Sequence, residues 1–110
     1  LTHKAIEAVS RLKTEGHSVG LVDLIMAKGF NQKKLSTLLS PYEKVVTLEE
    51  GFIGKGGIDA AITSMISETD ATLKHKALGL KDTYCFDIGT REFLHGKNNL
   101  DVESIMRTAV

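Results

Sequence analysis

The chain has 110 residues, enough for one domain and too few for two of ordinary size. Its 42% hydrophobic and 25% charged residues are typical of a globular protein, and no apolar run approaches the ~20 residues of a membrane span. The formal net charge is zero, which disfavours a nucleic-acid surface because phosphate binding usually needs a clear basic excess. We therefore expect neither a membrane nor a nucleic acid as partner.

The single cysteine, Cys85, excludes an internal disulfide and any Cys-x-x-Cys motif, and a reducing, cytoplasmic compartment fits it best. His3, His17, His75 and His95 show no metal-ligand spacing, so no metal site is predicted. A nucleophilic Cys–His pair brought together by the fold stays open, since such pairs form in space rather than along the chain.

The first half of the chain predicts a helix, a strand and a second helix. Apolar residues at three- and four-residue steps predict an amphipathic helix over residues ~2–15. The nearly continuous apolar run Val19–Ile25 is typical of a strand covered on both faces. Asn31 is a candidate N-cap for the next helix, which Ser40-Pro41 should end.

The second half continues the alternation. Val45–Glu49 predicts another buried strand, and Ile58–Ile66 carries the clearest helical stripe. Leu73–Leu78 predicts an edge strand whose lysines discourage unwanted pairing. Residues ~79–99 are irregular, with a short helix near Arg91–His95.

The last helix begins at Asp101, which is a good N-cap. Leu100 and Ile105 lie at the two positions of a hydrophobic staple around it. Glu103 in the first turn and Arg107 in the last each favour the helix dipole.

The predicted order is α-β-α-β-α-β-α. Strands alternating with helices predict an α/β fold, a three-layer α/β/α sandwich around a mostly parallel sheet. Ligands and partners of such sheets usually meet the carboxyl ends of the strands. The loop Glu49–Gly57 lies at one of these ends.

The loop Gly54-Lys55-Gly56-Gly57 fails both common phosphate-binding patterns. A Walker loop needs Ser or Thr after the lysine, and here Gly56 follows Lys55; a dinucleotide loop needs a small residue where Asp59 stands. Two interpretations remain. The loop is either a weak anion or partner site built from backbone N–H groups, or a tight turn that lets the helix pack closely on the strand.

Glu49 and Glu50 are neighbours in a strand, so their side chains point to opposite faces and cannot form a paired-carboxylate acid/base site. One of them is expected to reach across a domain contact. Arg91, Glu92 and His95 lie in the least regular part of the chain, which is where contacts to another domain are usually made. The alternative is that they are surface residues of a short helix without a partner.

Several stretches resemble one known family. Residues 45–62, which read VVTLEEGFIGKGGIDAAI, resemble part of the C-terminal domain of transketolase-like enzymes. That part consists of a strand that ends in a pair of acidic residues, a Gly-Gly loop and a helix rich in small residues. Five further segments also fall where that family has corresponding features: Val22–Leu24, Lys28–Asn31, Ala77–Asp82, Gly89–Leu94 and the helix after Leu100.

The chain departs from the family at four positions. Gly29 and Lys81 replace prolines that are common there, and Lys55 and Asp59 make the glycine loop more charged. These departures bear on the subfamily and leave the overall pattern intact.

The resemblance implies a role within a larger enzyme. In this family thiamine diphosphate and Mg²⁺ lie between two other domains, and the C-terminal domain packs beside them, supports a homo-oligomer and supplies no catalytic group. We therefore expect residues 1–110 to be one such domain that binds no cofactor and is inactive alone. It would lack the family's first strand, so that one position of the sheet is unfilled or filled by another chain. The expected partners are the thiamine-binding domains of the same enzyme.

The function this implies is assembly of an enzyme that transfers a two-carbon ketol unit between sugar phosphates. The expected interface or weak anion site comprises Glu49, Glu50, Gly54, Lys55, Gly56, Gly57, Arg91 and His95. Two alternatives are kept: an independent module that holds a small anion at Gly54–Gly57, and a carrier-protein docking domain like that of a 2-oxo-acid dehydrogenase β-subunit. Transketolase, deoxyxylulose-phosphate synthase and these β-subunits are the three candidate classes of parent enzyme.

Overall fold

A computed structural model describes residues 1–69 and 72–110. Its helices and strands, in chain order, are α1 (Thr2–Thr14), α2 (Gln32–Leu39), β1 (Lys44–Phe52), α3 (Ile58–Glu68), β2 (Lys74–Leu80), α4 (Arg91–Lys97) and α5 (Val102–Ala109). None of the helices in these ranges is long and apolar enough to cross a bilayer.

The sheet joins β1 and β2 in parallel, with α3 as the crossover between them. Val45 lies opposite His75 and Leu48 opposite Leu78, and an irregularity follows before Phe52 meets Leu80. At this irregularity a Cβ on Gly79 would lie 2.8 Å from the carbonyl oxygen of Gly51, so the close approach of the two backbones requires glycine there.

Helices cover both faces of this sheet. Ala8 and Leu12 of α1 and Ile105 and Met106 of α5 form one buried cluster, against which Leu48 and Leu78 pack. A second cluster, of Leu35, Ile62 and Met65, joins α2 and α3 and contacts Val45. Successive strand residues point to opposite faces, so Val45 and Leu48 belong to different layers. The α/β class, the parallel sheet and its helical cover are as predicted.

The predicted strand at Val19–Ile25 was wrong. No residue between Gly16 and Asn31 is in a strand, and no described backbone hydrogen bond links this segment to β1. Val19 and Leu24 still pack on the two core clusters, whereas Ile25 is 91% exposed. The order of elements is therefore α-α-β-α-β-α-α. An apolar sequence predicts burial, but a strand also needs hydrogen bonds from the backbone of a neighbouring strand. No described strand forms a backbone hydrogen bond with this segment.

The predicted helix boundaries agree closely with the structure. The Asn31 side chain accepts a hydrogen bond from Lys34 N at 2.9 Å, and Asp101 Oδ1 accepts one from Ser104 N at 2.9 Å. Leu100 is fully buried, as its staple position requires. The short helix near Arg91 is α4, whose N-cap is Thr90.

Candidate functional site

Both strands end at the same side of the sheet, and the loops that follow them form what we name the carboxyl edge, residues 50–57 and 80–95. Gly54 and Gly56 have φ of +74° and +88°, a region that side chains strain to occupy, so the loop after β1 requires glycine at both positions. Lys55 Nζ lies 2.8 Å from Asp82 Oδ2 and connects this loop to the turn after β2.

The N-terminus of α3 is occupied by a carboxylate of the protein itself. Glu49 Oε2 accepts a hydrogen bond from Ile58 N at 3.2 Å, and Oε1 accepts one from Asp59 N at 3.3 Å. A Cβ on Gly57 would lie 2.5 Å from both of these oxygens, so a side chain there would displace the carboxylate. The backbone N–H groups that a bound anion would need already serve Glu49.

Asp59 fastens the glycine loop from the helix side. Its Oδ2 accepts a hydrogen bond from Gly54 N at 2.6 Å, and Oδ1 accepts one from Ala60 N at 2.7 Å. The Gly54 hydrogen bond is the main cause that lowers the pKa of Asp59, with burial opposing it. A second negative charge at this helix start further disfavours an anion site. An acid in the first turn after a glycine loop is a recognisable signal for a helix start, so the sequence carries a signal for this role of Asp59.

Three of the predicted site residues come together in a polar cluster. Arg91 Nη2 donates to Glu50 Oε1, and His95 Nε2 lies 3.2 Å from the same oxygen. The hydrogen bond from Arg91 is the main cause that lowers the pKa of Glu50. His95 is buried, whereas the Glu50 side chain is 41% exposed, so the cluster opens to solvent through its carboxylate.

Lys4 completes this cluster from the start of α1. Its Nζ lies 2.9 Å from His95 Nδ1 and 2.7 Å from Glu92 Oε2. An ammonium group can only donate, so Nδ1 accepts and the ring proton sits on Nε2, facing Glu50. Sequence reasoning missed Lys4, because no local pattern connects residues that are 91 positions apart.

A second histidine is held between hydroxyl groups. His75 Nε2 lies 2.9 Å from Thr47 Oγ1, and Nδ1 lies 2.9 Å from Thr63 Oγ1. Thr63 Oγ1 already donates to the Asp59 carbonyl at 2.8 Å, so it accepts from His75 Nδ1. Burial lowers the pKa of His75, and the Asp59 charge partly offsets this effect. No sequence signal pointed to this residue.

Apolar side chains are exposed around the same edge. Tyr84, Phe86 and Ile88, between β2 and α4, are 91%, 89% and 97% exposed, and Phe52 and Phe93 are about half exposed. Exposed large apolar groups that lie together are common at the interaction surfaces of other proteins. The sequence pattern predicts only irregular structure for this stretch and gives no signal for its exposure.

The two glutamates at the end of β1 are each held within the domain. Glu49 and Glu50 point to different partners, as their neighbouring positions predict, and each is held by groups of this domain. Within residues 1–69 and 72–110, no three His, Cys, Asp or Glu side chains come together as metal ligands. The exposed thiol of Cys85 donates to the Asp87 carbonyl at 3.7 Å.

Comparison with known proteins gives one consistent result. The family model for the transketolase C-terminal domain matches residues 1–105. The 1-deoxy-D-xylulose-5-phosphate synthase of Parabacteroides distasonis is 27% identical over 105 residues, which cover 96% of this chain and 16% of that protein. The proteins of the same name from Magnetococcus marinus and Dictyoglomus thermophilum are 30% and 31% identical over 109 and 84 residues. These matches cover 96% and 76% of this chain and 17% and 13% of those proteins. The chain thus spans about a sixth of the length of the relatives it matches.

Proposed function

The chain belongs to the transketolase C-terminal domain family, and on this basis we propose that it is the assembly domain of a thiamine-diphosphate-dependent enzyme like the 1-deoxy-D-xylulose-5-phosphate synthases. The observation that carries the assembly role is the carboxyl edge. The loops of this edge carry both exposed apolar residues and the Glu50–Arg91–His95 cluster, and the helix N-terminus after β1 is occupied by Glu49. Because that N-terminus is occupied, the small-anion module has little support.

The name of the relatives' product supports a more specific proposal for the reaction of the parent enzyme. A 1-deoxy-2-ketose has a methyl group beside its carbonyl, so the two-carbon unit that enters is an acyl unit. The acceptor is then a three-carbon aldehyde phosphate. The transferred unit thus differs from the ketol unit expected from the sequence in lacking the C1 hydroxyl, and its donor must release a different leaving group. Thiamine diphosphate, bound with Mg²⁺ by other domains, supplies the carbanion equivalent that makes such a bond.

This domain contributes no catalytic group in the proposal. Glu49 and Asp59 fix the glycine loop and the start of α3 internally, so they shape the surface without touching a partner. Arg91, Lys55 and the exposed apolar side chains contact the thiamine-binding domains. In this proposal the enzyme is a cytoplasmic homo-oligomer.

The test is assembly with the remainder of the parent enzyme. Size-exclusion chromatography with light scattering is run on the chain alone and on its mixture with the rest of the enzyme, both with thiamine diphosphate and Mg²⁺ present. Each peak is then assayed for formation of 1-deoxyxylulose 5-phosphate and for ketol transfer. We expect a complex, with activity only in the mixture. A folded chain that forms no complex would refute the assembly role.

Two arginine variants locate the interface. Arg91→Ala and Arg11→Ala each remove one exposed arginine that forms a salt bridge, but only Arg91 lies at the carboxyl edge. Arg91 pairs with Glu50, whereas Arg11 pairs with Glu103 and, at 3.9 Å, with Glu7. We expect Arg91→Ala to weaken the complex about tenfold or more, as for an arginine in the centre of an interface. Arg11→Ala should change affinity by less than about twofold. Equal effects would place the interface elsewhere.

A further inference from the structure

His95 is a buried histidine whose two ring nitrogens contact groups from two other elements. Nδ1 accepts a hydrogen bond from Lys4 Nζ of α1 at 2.9 Å, and Nε2 lies 3.2 Å from Glu50 Oε1 at the end of β1. The His95 side chain is only 7% exposed, so a partner that is lost is not readily replaced by water. One neutral tautomer, with its proton on Nε2, serves both contacts. The start of α1 is thus fastened to the carboxyl edge through one imidazole ring.

Proton uptake by this ring breaks one of the two contacts. The added proton goes to Nδ1, so that Nδ1 and the Lys4 ammonium group both donate and no acceptor lies between them. Two positive charges would then face each other across the 2.9 Å that separates the two nitrogens, where burial strengthens their repulsion. Lys4 therefore has to leave Nδ1. The contact from Nε2 to Glu50 becomes charge-assisted and is strengthened.

A second partner of Lys4 allows this release. Lys4 Nζ lies 2.7 Å from Glu92 Oε2, and the Glu92 side chain is 74% exposed, whereas that of Lys4 is 17% exposed. After leaving His95, the ammonium group can keep this ion pair and move with it toward solvent. No charge is then left buried without a partner, so the change costs little beyond the lost contact.

The charged groups around the ring come from α1, β1 and α4. Two cationic and two anionic side chains surround it: Lys4 and Arg91, and Glu50 and Glu92. The α-amino group of Leu1 also acts on Glu50, and His3 is exposed beside Lys4. The four charged side chains cancel while His95 is neutral. Its protonation gives this group of side chains a net positive charge.

We propose that His95 is a proton-sensitive switch between the start of α1 and the carboxyl edge. In the closed state the ring is neutral and Lys4 donates to Nδ1. In the open state the ring is protonated, Lys4 has moved out with Glu92, the start of α1 is loosened, and the carboxyl edge carries an added positive charge beside Arg91. The switch is a property of this chain and does not depend on the proposed function.

The test follows both contacts by NMR as a function of pH. All samples carry His3→Gln, so that no second histidine titrates beside Lys4. The shifts of the two ring nitrogens report the protonation of His95, and the nuclear Overhauser effect between the Lys4 Cε protons and His95 Hε1 reports the contact. We expect this Overhauser effect to disappear as the ring is protonated.

The backbone at the start of α1 gives a second readout. The Ala5 N–H donates to Leu1 O at 3.0 Å, so its hydrogen exchange reports opening of the first turn. After correction for the intrinsic pH dependence of exchange, we expect the protection of Ala5 to fall about threefold or more when His95 is protonated.

Two variants serve as controls. Lys4→Met keeps an unbranched side chain without the ammonium group, so the protection of Ala5 should not vary with pH. In His95→Gln the amide can accept from Lys4 and donate to Glu50 without titrating, so Ala5 should stay protected at every pH.

Three results would overturn the proposal. The first is a Lys4–His95 Overhauser effect that survives protonation of the ring. The second is the same pH dependence of Ala5 protection in Lys4→Met as in the parent sample. The third is a ring that stays neutral down to the pH at which the domain unfolds. Neither readout involves assembly or activity, so failure here is separate from failure of the assembly role.

Discussion

Gly57 and Glu49 show how one missing side chain allows a helix to be capped from another element. Gly57 has φ of −80°, which any residue adopts, so its conformation does not require glycine. The lack of space requires glycine instead, because a Cβ at this position would lie 2.5 Å from the Glu49 carboxylate oxygens. These oxygens accept hydrogen bonds from the backbone N–H groups of Ile58 and Asp59. The interpretation of this loop as a tight turn for close packing of helix and strand agrees with this geometry.

Gly57→Ala should therefore destabilise the domain. Moving the Glu49 carboxylate away leaves the first N–H groups of α3 without their partner, which costs about 1–2 kcal/mol. Urea unfolding followed by circular dichroism measures the loss. The control is Gly96→Ala in α4, where an added Cβ meets nothing within 4 Å and a helical alanine is favourable by up to about 1 kcal/mol. Equal stability of the two variants would contradict the steric explanation.

At the scale of elements, His75 joins both strands to the crossover helix. It lies in β2 between Thr47 of β1 and Thr63 of α3, and all three side chains are satisfied by one tautomer. A protonated ring would carry a donor on each nitrogen, so the Thr47 oxygen would have to accept from Nε2 and direct its own proton elsewhere. The arrangement in which Thr47 donates to Nε2 therefore requires the neutral imidazole.

This dependence predicts how stability varies with pH. Burial lowers the pKa of His75 in the folded state, so the unfolded chain binds the proton first as pH falls below the ordinary histidine range. The free energy of unfolding should decline across that window. His75→Gln, which can bond both hydroxyls without titrating, should flatten the decline, and unfolding curves at several pH values measure it. The control is His17→Gln at an exposed position, which should keep the original decline of unfolding free energy with falling pH. If the decline stays equally steep in His75→Gln, His75 is not its source.

At the scale of the whole molecule, the cluster around Leu12 connects helices that are far apart in sequence. Leu12 is 2% exposed and packs with Ala8 of α1 and Ile105 and Met106 of α5, beneath the sheet. Deleting its side chain should leave a cavity that three elements share and cannot readily close.

Leu12→Ala should cost about 2–5 kcal/mol of unfolding free energy, from lost apolar burial plus the cavity. Ile6→Ala is the matched control, since Ile6 belongs to the same helix and is 51% exposed. It should cost less than about 1 kcal/mol. Chemical denaturation measures both. A small loss for Leu12→Ala would mean that α1 docks loosely on the rest of the domain.

The sequence by itself determined the features whose causes are local. The helical stripe of α3, the caps at Asn31 and Asp101 and the glycine loop each depend on residues a few positions apart, and each lies where it was predicted. The parallel order of β1 and β2 also followed from the sequence, because a helix separates the strands.

Tertiary structure decided what depends on distant partners. Lys4 reaches His95 and Arg91 reaches Glu50 across 91 and 41 positions, so no local pattern could pair them. Val19–Ile25 is apolar enough for a strand, but a strand forms only where a neighbouring backbone accepts its hydrogen bonds. The physical reason is the same in both cases: side-chain propensity is carried by each residue, whereas hydrogen-bond partners are supplied by the fold.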